Sequence, residues 1–175
     1  MKPKCRPIQQ KLRRVKSEMF LKKKEEVRKQ FDAGFLEVAK YPEWVSNIVS
    51  IPKKDGKVKI CVDYRDLNRV SSKDNFPLPH IDTLVDNTTK NALFSFMDGF
   101  SRYNQIQMAP WEKTTFVTMW GTFCYKVMPF GLKNAETIYQ RAMVTLFHDI
   151  MHKKIEVYVD LIAKSREGES HIENL

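Results

Sequence analysis

Apolar residues recur at a helical spacing in three segments of the chain. The first covers residues 17–32 and is followed by Gly34, a residue type that commonly ends helices. The second is short and includes Leu84. The third covers residues 134–151, and its continuous apolar stripe predicts a helix that packs on a sheet.

Strand patterns fill much of the remaining chain. They occupy residues 44–51, 57–64, 92–97, 115–119, 123–128, 155–159 and 161–163. Asp55-Gly56 predicts a tight two-residue hairpin turn between the first two strands, since such turns need residues that tolerate positive φ. The segment 92–97 is almost entirely apolar and is expected in the core.

Composition excludes several classes of protein. The 175 residues are 42% hydrophobic with a formal net charge of +9, which is typical of a globular chain. No segment approaches the roughly 18 uninterrupted apolar residues of a membrane span. Cys5, Cys61 and Cys124 are too few and too far apart for a disulfide framework or a zinc knuckle. We therefore expect reduced thiols in an intracellular compartment.

Positive charge is concentrated near the start of the chain. Residues 1–30 contain twelve basic and three acidic side chains, a balance of +9, whereas the other residues balance to zero. A cationic arm of this kind suits a polyanion, and Lys22, Lys23, Lys24 and Arg28 are its candidate nucleic-acid ligands. A solvated, lysine-rich helix is an equally good interpretation.

Two aspartates, Asp98 and Asp160, each end an apolar strand. A carboxylate in that position is poorly suited to a core unless it binds a cation, so a divalent metal site for phosphoryl transfer is one interpretation. Aspartates that cap turns are the other. His148 and His152 have the spacing of a zinc-binding helix, but they lie opposite the apolar stripe and are better interpreted as solvated.

Cationic residues also surround the first predicted hairpin, at Lys53, Lys54, Lys57 and Lys59, and Arg65 follows it. They suit a triphosphate or backbone phosphates. Lysines that protect an exposed sheet edge are the alternative.

Seven ordered motifs in this sequence resemble the reverse transcriptase of gypsy-type LTR retrotransposons, in the form common in plants. They are Lys53-Lys54-Asp55-Gly56, Val62-Asp63-Tyr64-Arg65-Asp66-Leu67-Asn68, Phe76-Pro77-Leu78-Pro79, Phe96-Met97-Asp98-Gly99-Phe100-Ser101, Tyr103-Asn104-Gln105-Ile106, Met128-Pro129-Phe130-Gly131-Leu132 and Tyr158-Val159-Asp160.

The resemblance implies an α+β fold, that of a right-hand polymerase with fingers, a palm whose antiparallel sheet is backed by helices, and no thumb. The expected segments are a basic arm and helix at 1–43, a fingers-like region at 44–91 and a palm-like region at 92–175. The implied partners are an RNA or DNA template with its primer, dNTPs, and Mg²⁺ or Mn²⁺. Family biology implies a cytoplasmic particle or the nucleus, away from membranes.

The same resemblance implies roles for individual residues. Lys53 or Lys54, Lys59 and Arg65 would hold the incoming triphosphate. Tyr103 would lie under the deoxyribose and exclude a 2′-hydroxyl, and Phe130 would lie beside the nucleotide and template. Asp98 and Asp160 would be two of three catalytic, metal-binding aspartates.

Three departures from the family pattern predict impaired catalysis. The usual Tyr-x-Asp-Asp ends here at Asp160-Leu161, one carboxylate short, which is expected to disturb the turn or the alternation of the next strand. Arg102 replaces a customary glycine, and the segment 109–113 is shorter than its counterpart. The alternatives are an inactive module that still binds nucleic acid, and a chain without a selected function that folds poorly.

Overall fold

The computed structural model describes residues 5–14, 17–54, 56–97, 102–109, 114–158 and 160–166. The helices are α1 (Ser17–Asp32), α2 (Arg65–Val70), α3 (Ile81–Thr89) and α4 (Ala135–Leu146), with a 3-10 helix at Arg102–Gln105. The strands are β1 (Leu36–Val38), β2 (Ser46–Pro52), β3 (Val58–Val62), β4 (Leu93–Met97), β5 (Phe116–Thr118), β6 (Gly121–Tyr125), β7 (Ile155–Tyr158) and β8 (Asp160–Ser165). This content agrees with the predicted α+β class.

The chain divides into two compact units, each assembled from two separate stretches. Unit 1 combines residues 1–73 with 103–135, and unit 2 combines 74–102 with 136–175. The sequence analysis expected three consecutive segments, with boundaries at residues 43 and 91. Those boundaries stay a prediction. No helix among the described residues is long and apolar enough to cross a membrane.

Unit 1 is built on a five-stranded sheet in the order β1-β6-β5-β2-β3. Neighbouring strands are antiparallel except for β2 and β5, which are parallel. Helix α1 covers this sheet, and its Val27 joins Leu36, Ile48, Ile60 and Phe116 in one buried cluster. Burial of these side chains is the main stabilising contribution to the unit.

The N-terminal segment of unit 1 is attached to the sheet rather than projecting as a cationic arm. The Gln10 backbone N–H donates to the Val45 carbonyl at 2.8 Å. Buried Asn47 donates its side-chain amide to the Lys11 carbonyl at 2.7 Å and accepts from the Arg13 backbone N–H at 3.0 Å. Residues 10–13 are therefore held by hydrogen bonds to the sheet, and the role of the basic arm in binding nucleic acid stays a prediction.

Local signals explain where α1 ends. Gly34 has a φ of +77°, and the Phe35 N–H donates to the Gln30 carbonyl at 3.0 Å. This is the left-handed helix end that glycine allows, as the sequence predicted.

The predicted third helix is shorter than expected and ends at Leu146. Helix α2 was not predicted, since six residues are too few to establish a helical period.

The β2–β3 hairpin is present, but its turn differs from the prediction. The Lys53 N–H donates to the Lys57 carbonyl at 2.8 Å, so three residues rather than two separate the last bonded pair. Gly56 has a φ of +76°, the conformation that a three-residue loop with a terminal bulge requires.

Unit 2 contains the antiparallel sheet β4-β8-β7 with α3 and α4. The Gln140 side chain of α4 donates to the Val157 carbonyl at 2.7 Å, which fixes that helix against β7. Strand β4 is an edge strand in which Leu93, Phe94 and Phe96 are exposed. The expectation of a core strand was wrong there, because an apolar run does not reveal which strand lies at the edge.

A buried ion pair joins β7 and β8. Glu156 Oε1 lies 2.6 Å from Lys164 Nζ, and the two side chains are 0% and 3% exposed. The second carboxylate oxygen lies 2.8 Å from His152 Nδ1, and Lys164 also donates to the Asn87 carbonyl of α3 at 3.2 Å. His152 has a φ of +64° and lies outside α4, so His148 and His152 do not share a helix face.

Replacing Lys164 with methionine should lower the free energy of unfolding by about 3 kcal/mol, because it leaves the Glu156 carboxylate buried without its main cation. Urea titration measures this change. The double replacement Glu156→Leu with Lys164→Met should recover most of the loss, since an apolar pair needs no charge compensation. A single variant as stable as the parent would contradict the assignment.

Candidate functional site

Two aromatic rings and a lysine form a cluster in unit 1. The ring centroids of Tyr103 and Phe130 are 4.8 Å apart. Lys59 Nζ lies 5.2 Å from the centroid of Phe130, within range of a cation–π interaction. Half of the Phe130 surface remains exposed. The structure thus brings together three of the predicted nucleotide-binding residues.

Backbone conformation and an asparagine fix the loop that carries Phe130. Gly131 has a φ of +92°, a region that favours glycine. The Asn68 side chain donates to the Gly131 carbonyl at 2.8 Å and accepts from the Lys133 N–H at 2.9 Å. Asn68 and Gly131 belong to different sequence motifs, so these two hydrogen bonds connect the two motifs in space.

Backbone hydrogen bonds hold the segment that carries Tyr103 and connect it to the segment that leads to Phe130. The Ile106 N–H donates to the Tyr103 carbonyl at 3.0 Å, and the Met128 N–H donates to the Ile106 carbonyl at 2.8 Å. Met128 is buried at 1% exposure. The two aromatic side chains are therefore positioned by a single pair of hydrogen-bonded segments.

A pocket of about 370 Å³ opens beside this cluster. Its wall includes Lys29, Lys53, Lys59, Asn104 and Phe130. Glu26 also lines the pocket, so three lysines outnumber one carboxylate and favour an anion, and the aromatic surface suits a planar or sugar group. Lys29 and Asn104 were not among the predicted site residues; Asn104 belongs to the motif that contains Tyr103, whereas Lys29 lies on α1 and reaches the pocket only through packing.

Arg65 pairs with a carboxylate of its own segment, and its predicted contact with a triphosphate stays a prediction. Its Nε lies 2.8 Å from Asp63 Oδ1 and its Nη2 lies 2.7 Å from Oδ2, so both carboxylate oxygens are bonded. Arg13 Nη2 adds a third contact at 3.0 Å. The hydrogen bonds from Arg65 hold the pKa of Asp63 at about 2, against the opposing effect of its burial. Lys54 is exposed.

The four predicted nucleic-acid ligands on α1 have different surroundings. Lys22 Nζ donates to the Gly56 carbonyl at 2.9 Å, and Arg28 pairs with Asp32 at 3.5 Å. Lys24 is exposed. Lys23 is only 7% exposed and burial lowers its pKa, so grouping it with surface cations was wrong.

Asp160 lies at the start of β8 in unit 2. It pairs with Tyr158, and the next pairs are Val157 with Leu161 and Glu156 with Ile162. Only Val159 separates Tyr158 from Asp160 in sequence. These pairs keep the side-chain alternation of β8 regular from Asp160 to Ala163. Asp98 lies outside the described residues.

Arg102 lies against this carboxylate. Its Nη2 is 2.5 Å from Asp160 Oδ1, and the two side chains are 29% and 37% exposed. Oδ1 itself is buried and accepts no hydrogen bond from the described residues. The contact is therefore a close ion pair without the geometry of a hydrogen bond. The Arg102 backbone has a φ of +24°, in the left-handed region that favours glycine.

The described side chains do not form a divalent metal site. No group of three His, Cys, Asp or Glu residues among them is placed to hold an ion. Asp160, the predicted ligand that the structure describes, already faces a guanidinium.

The family model for reverse transcriptase (RNA-dependent DNA polymerase) matches residues 51–175. The chain belongs to the reverse transcriptase family. The resemblance noted in the sequence is therefore confirmed, and reverse transcriptases as a family generally use divalent metal ions.

Individual relatives agree with this assignment. The reverse transcriptase domain is 35% identical over 105 residues to an RNA-directed DNA polymerase homolog of Oenothera berteroana, covering 59% of this chain and 74% of the relative. It is 34% identical over 120 residues to the Pol polyprotein from transposon gypsy of Drosophila melanogaster, covering 67% of this chain and 12% of that one.

Solved structures confirm the fold. The foamy viral protease-reverse transcriptase in complex with RNA/DNA hybrid matches with a TM-score of 0.83 at 17% identity, over 97% of this chain and 23% of that one. The native prototype foamy virus enzyme matches with a TM-score of 0.76 at 18% identity, covering 97% of this chain and 23% of that one. The reverse transcriptase domain thus has the predicted α+β fingers and palm fold and spans about a quarter of these proteins.

Replacing Asp63 with asparagine should destabilise the domain by about 2 kcal/mol near neutral pH. Because the pKa is lowered in the folded state, the carboxylate stabilises the fold above its ordinary value of 3.8 and loses that effect as pH falls towards about 2. Urea titrations over this pH range should show the parent and Asp63→Asn converging in acid.

The control is Asp32→Asn, which removes an exposed ion pair with Arg28 and should cost less than about 0.5 kcal/mol. A difference between the parent and Asp63→Asn that does not depend on pH would contradict this assignment.

Proposed function

We propose that this chain is the fingers and palm portion of an RNA-directed DNA polymerase that binds primer–template and dNTPs, and in which nucleotide transfer is impaired. The observation that carries the proposal is the cluster of Tyr103, Phe130 and Lys59 beside a lysine-lined pocket. Binding of an RNA/DNA hybrid by the foamy viral relative supports the nucleic-acid partner.

Residues of the pocket and of the neighbouring aromatic cluster suit different parts of a deoxynucleotide. Lys53 and Lys59 supply positive charge for the phosphates, and the exposed face of Phe130 offers a stacking surface. Tyr103 would lie under the sugar, where its ring leaves no room for a 2′-hydroxyl. Arg65 would support this pocket indirectly, through its bonds to Asp63.

The hairpin register supports impaired chemistry. Hairpins favour two-residue loops. In a Tyr-x-Asp-Asp hairpin of this kind, the residue x and the first aspartate form the loop, so the tyrosine pairs with the second aspartate. Tyr158 pairs with Asp160 here, so Asp160 corresponds to that second aspartate and the loop carboxylate is absent. Asp98 and Asp160 would be left to hold Mg²⁺ or Mn²⁺, and the described residues do not complete such a site.

An inactive module that still binds nucleic acid is the second candidate. The pairing of Asp160 with Arg102 favours it, because that carboxylate faces a protein cation. Binding without metal dependence, weakening steeply with salt, is its signature.

The substitutions Lys59→Met and Phe130→Ala should each weaken dNTP binding about tenfold, because one removes a phosphate contact and the other a stacking surface. Equilibrium binding of a labelled dNTP to the full chain with primer–template measures this effect. Lys40→Met is the matched control, since Lys40 is an exposed lysine of the same unit outside the pocket. Equal affinities for all three variants would place the nucleotide elsewhere.

Primer extension on an RNA template tests the impaired chemistry. The chain should extend poorly with Mg²⁺ or Mn²⁺, and one aspartate inserted after Asp160 should raise extension, because the insertion supplies the loop carboxylate and keeps the pairing of Val157 with Leu161. Efficient extension by the unmodified chain would refute the impairment. Salt-sensitive binding of primer–template without extension by either chain would favour the inactive module.

A further inference from the structure

We propose that Arg102 occupies the cation position at Asp160 and keeps divalent metal from that carboxylate. The inference rests on the proposed role of Asp160 as a metal ligand. The missing loop carboxylate is one obstacle to metal binding. Arg102, which lies in another segment of the chain, is a second obstacle that does not depend on the first.

The contact has the properties of a substitute for a metal ion. The guanidinium Nη2 is 2.5 Å from Asp160 Oδ1, which is itself buried and accepts no hydrogen bond from the described residues. A carboxylate oxygen withdrawn from water needs a positive charge beside it. Arg102 supplies that charge, so a metal ion would have to displace it to reach the same oxygen.

The backbone at residue 102 points to the same conclusion. A φ of +24° is unfavourable for arginine and acceptable for glycine. The side chain is held within reach of Asp160 although its backbone conformation suits a residue with no side chain. Glycine at this position would keep the local chain path and leave the carboxylate oxygen exposed to a metal.

The unit also offers a matched comparison. Arg141 Nη2 lies 2.7 Å from both carboxylate oxygens of Asp74, and the arginine stacks over Phe76. Removing Arg141 therefore deletes one positive charge and one arginine–aspartate pair from the same unit without touching Asp160. The change in net charge is the same as for Arg102.

The experiment measures Mn²⁺ binding to the full chain by loss of the free-ion electron paramagnetic resonance signal, with no nucleotide present. Arg102→Gly and Arg102→Ala should each bind Mn²⁺ at least about tenfold more tightly than the parent. Arg102→Lys keeps the charge and should remain close to the parent, as should Arg141→Ala. Adding Asp160→Asn to Arg102→Gly should abolish the gain.

The same comparison is made in the chain with one aspartate inserted after Asp160, which supplies the second ligand. Equal Mn²⁺ affinity with and without the Arg102→Gly substitution in both backgrounds, including absent binding, would overturn the proposal. A gain equalled by Arg141→Ala would also overturn it, as would a gain that survives Asp160→Asn in the chain without the insertion, where Asp160 is the carboxylate that faces Arg102. Because no nucleotide is present, failure of primer extension leaves this result unaffected.

Discussion

Three carboxylates that each have at least one oxygen withdrawn from water lie against cationic side chains. Asp63 is bonded by Arg65 and Arg13, Glu156 by Lys164, and Asp160 by Arg102. The first pair attaches the N-terminal segment to the end of β3, and the second joins β7 to β8. Because an uncompensated buried charge costs several kcal/mol, these pairs constrain which segments can lie together. The third pair extends the same rule to the residue expected to carry metal.

The constraint has opposite consequences for two predicted functional residues. Arg65, expected to hold a triphosphate, is engaged by Asp63 and so stabilises the fold beside the pocket. Lys59 lies over the ring of Phe130, and it lines the pocket whose lysines favour anions. A cation–π contact leaves the ammonium able to bind phosphate, whereas a bidentate pair occupies the planar fork. Lys59 is therefore more available to phosphate than Arg65, although the sequence pattern predicts the same role for both.

Much of the fold follows from local signals in the sequence. The period of apolar residues located α1, α3, α4 and the hairpins, and Gly34 ended α1 as expected. The exposure of β4 and the attachment of residues 5–14 to β2 were missed, because both depend on which strand becomes a neighbour. For the candidate site, the family resemblance identified Lys59, Tyr103 and Phe130, while Lys29 reaches the pocket only through the packing of α1.

The sequence by itself determined the family, the α+β class, and the residues Lys59, Tyr103 and Phe130 that the structure brings together. These features are encoded in residue types at short spacing. Tertiary structure alone decided that Lys23 is buried, that Arg65 faces Asp63, and that Arg102 faces Asp160. The physical reason is that charge compensation acts through space: a carboxylate takes the cation that folding brings nearest, and sequence separation does not reveal which one that is.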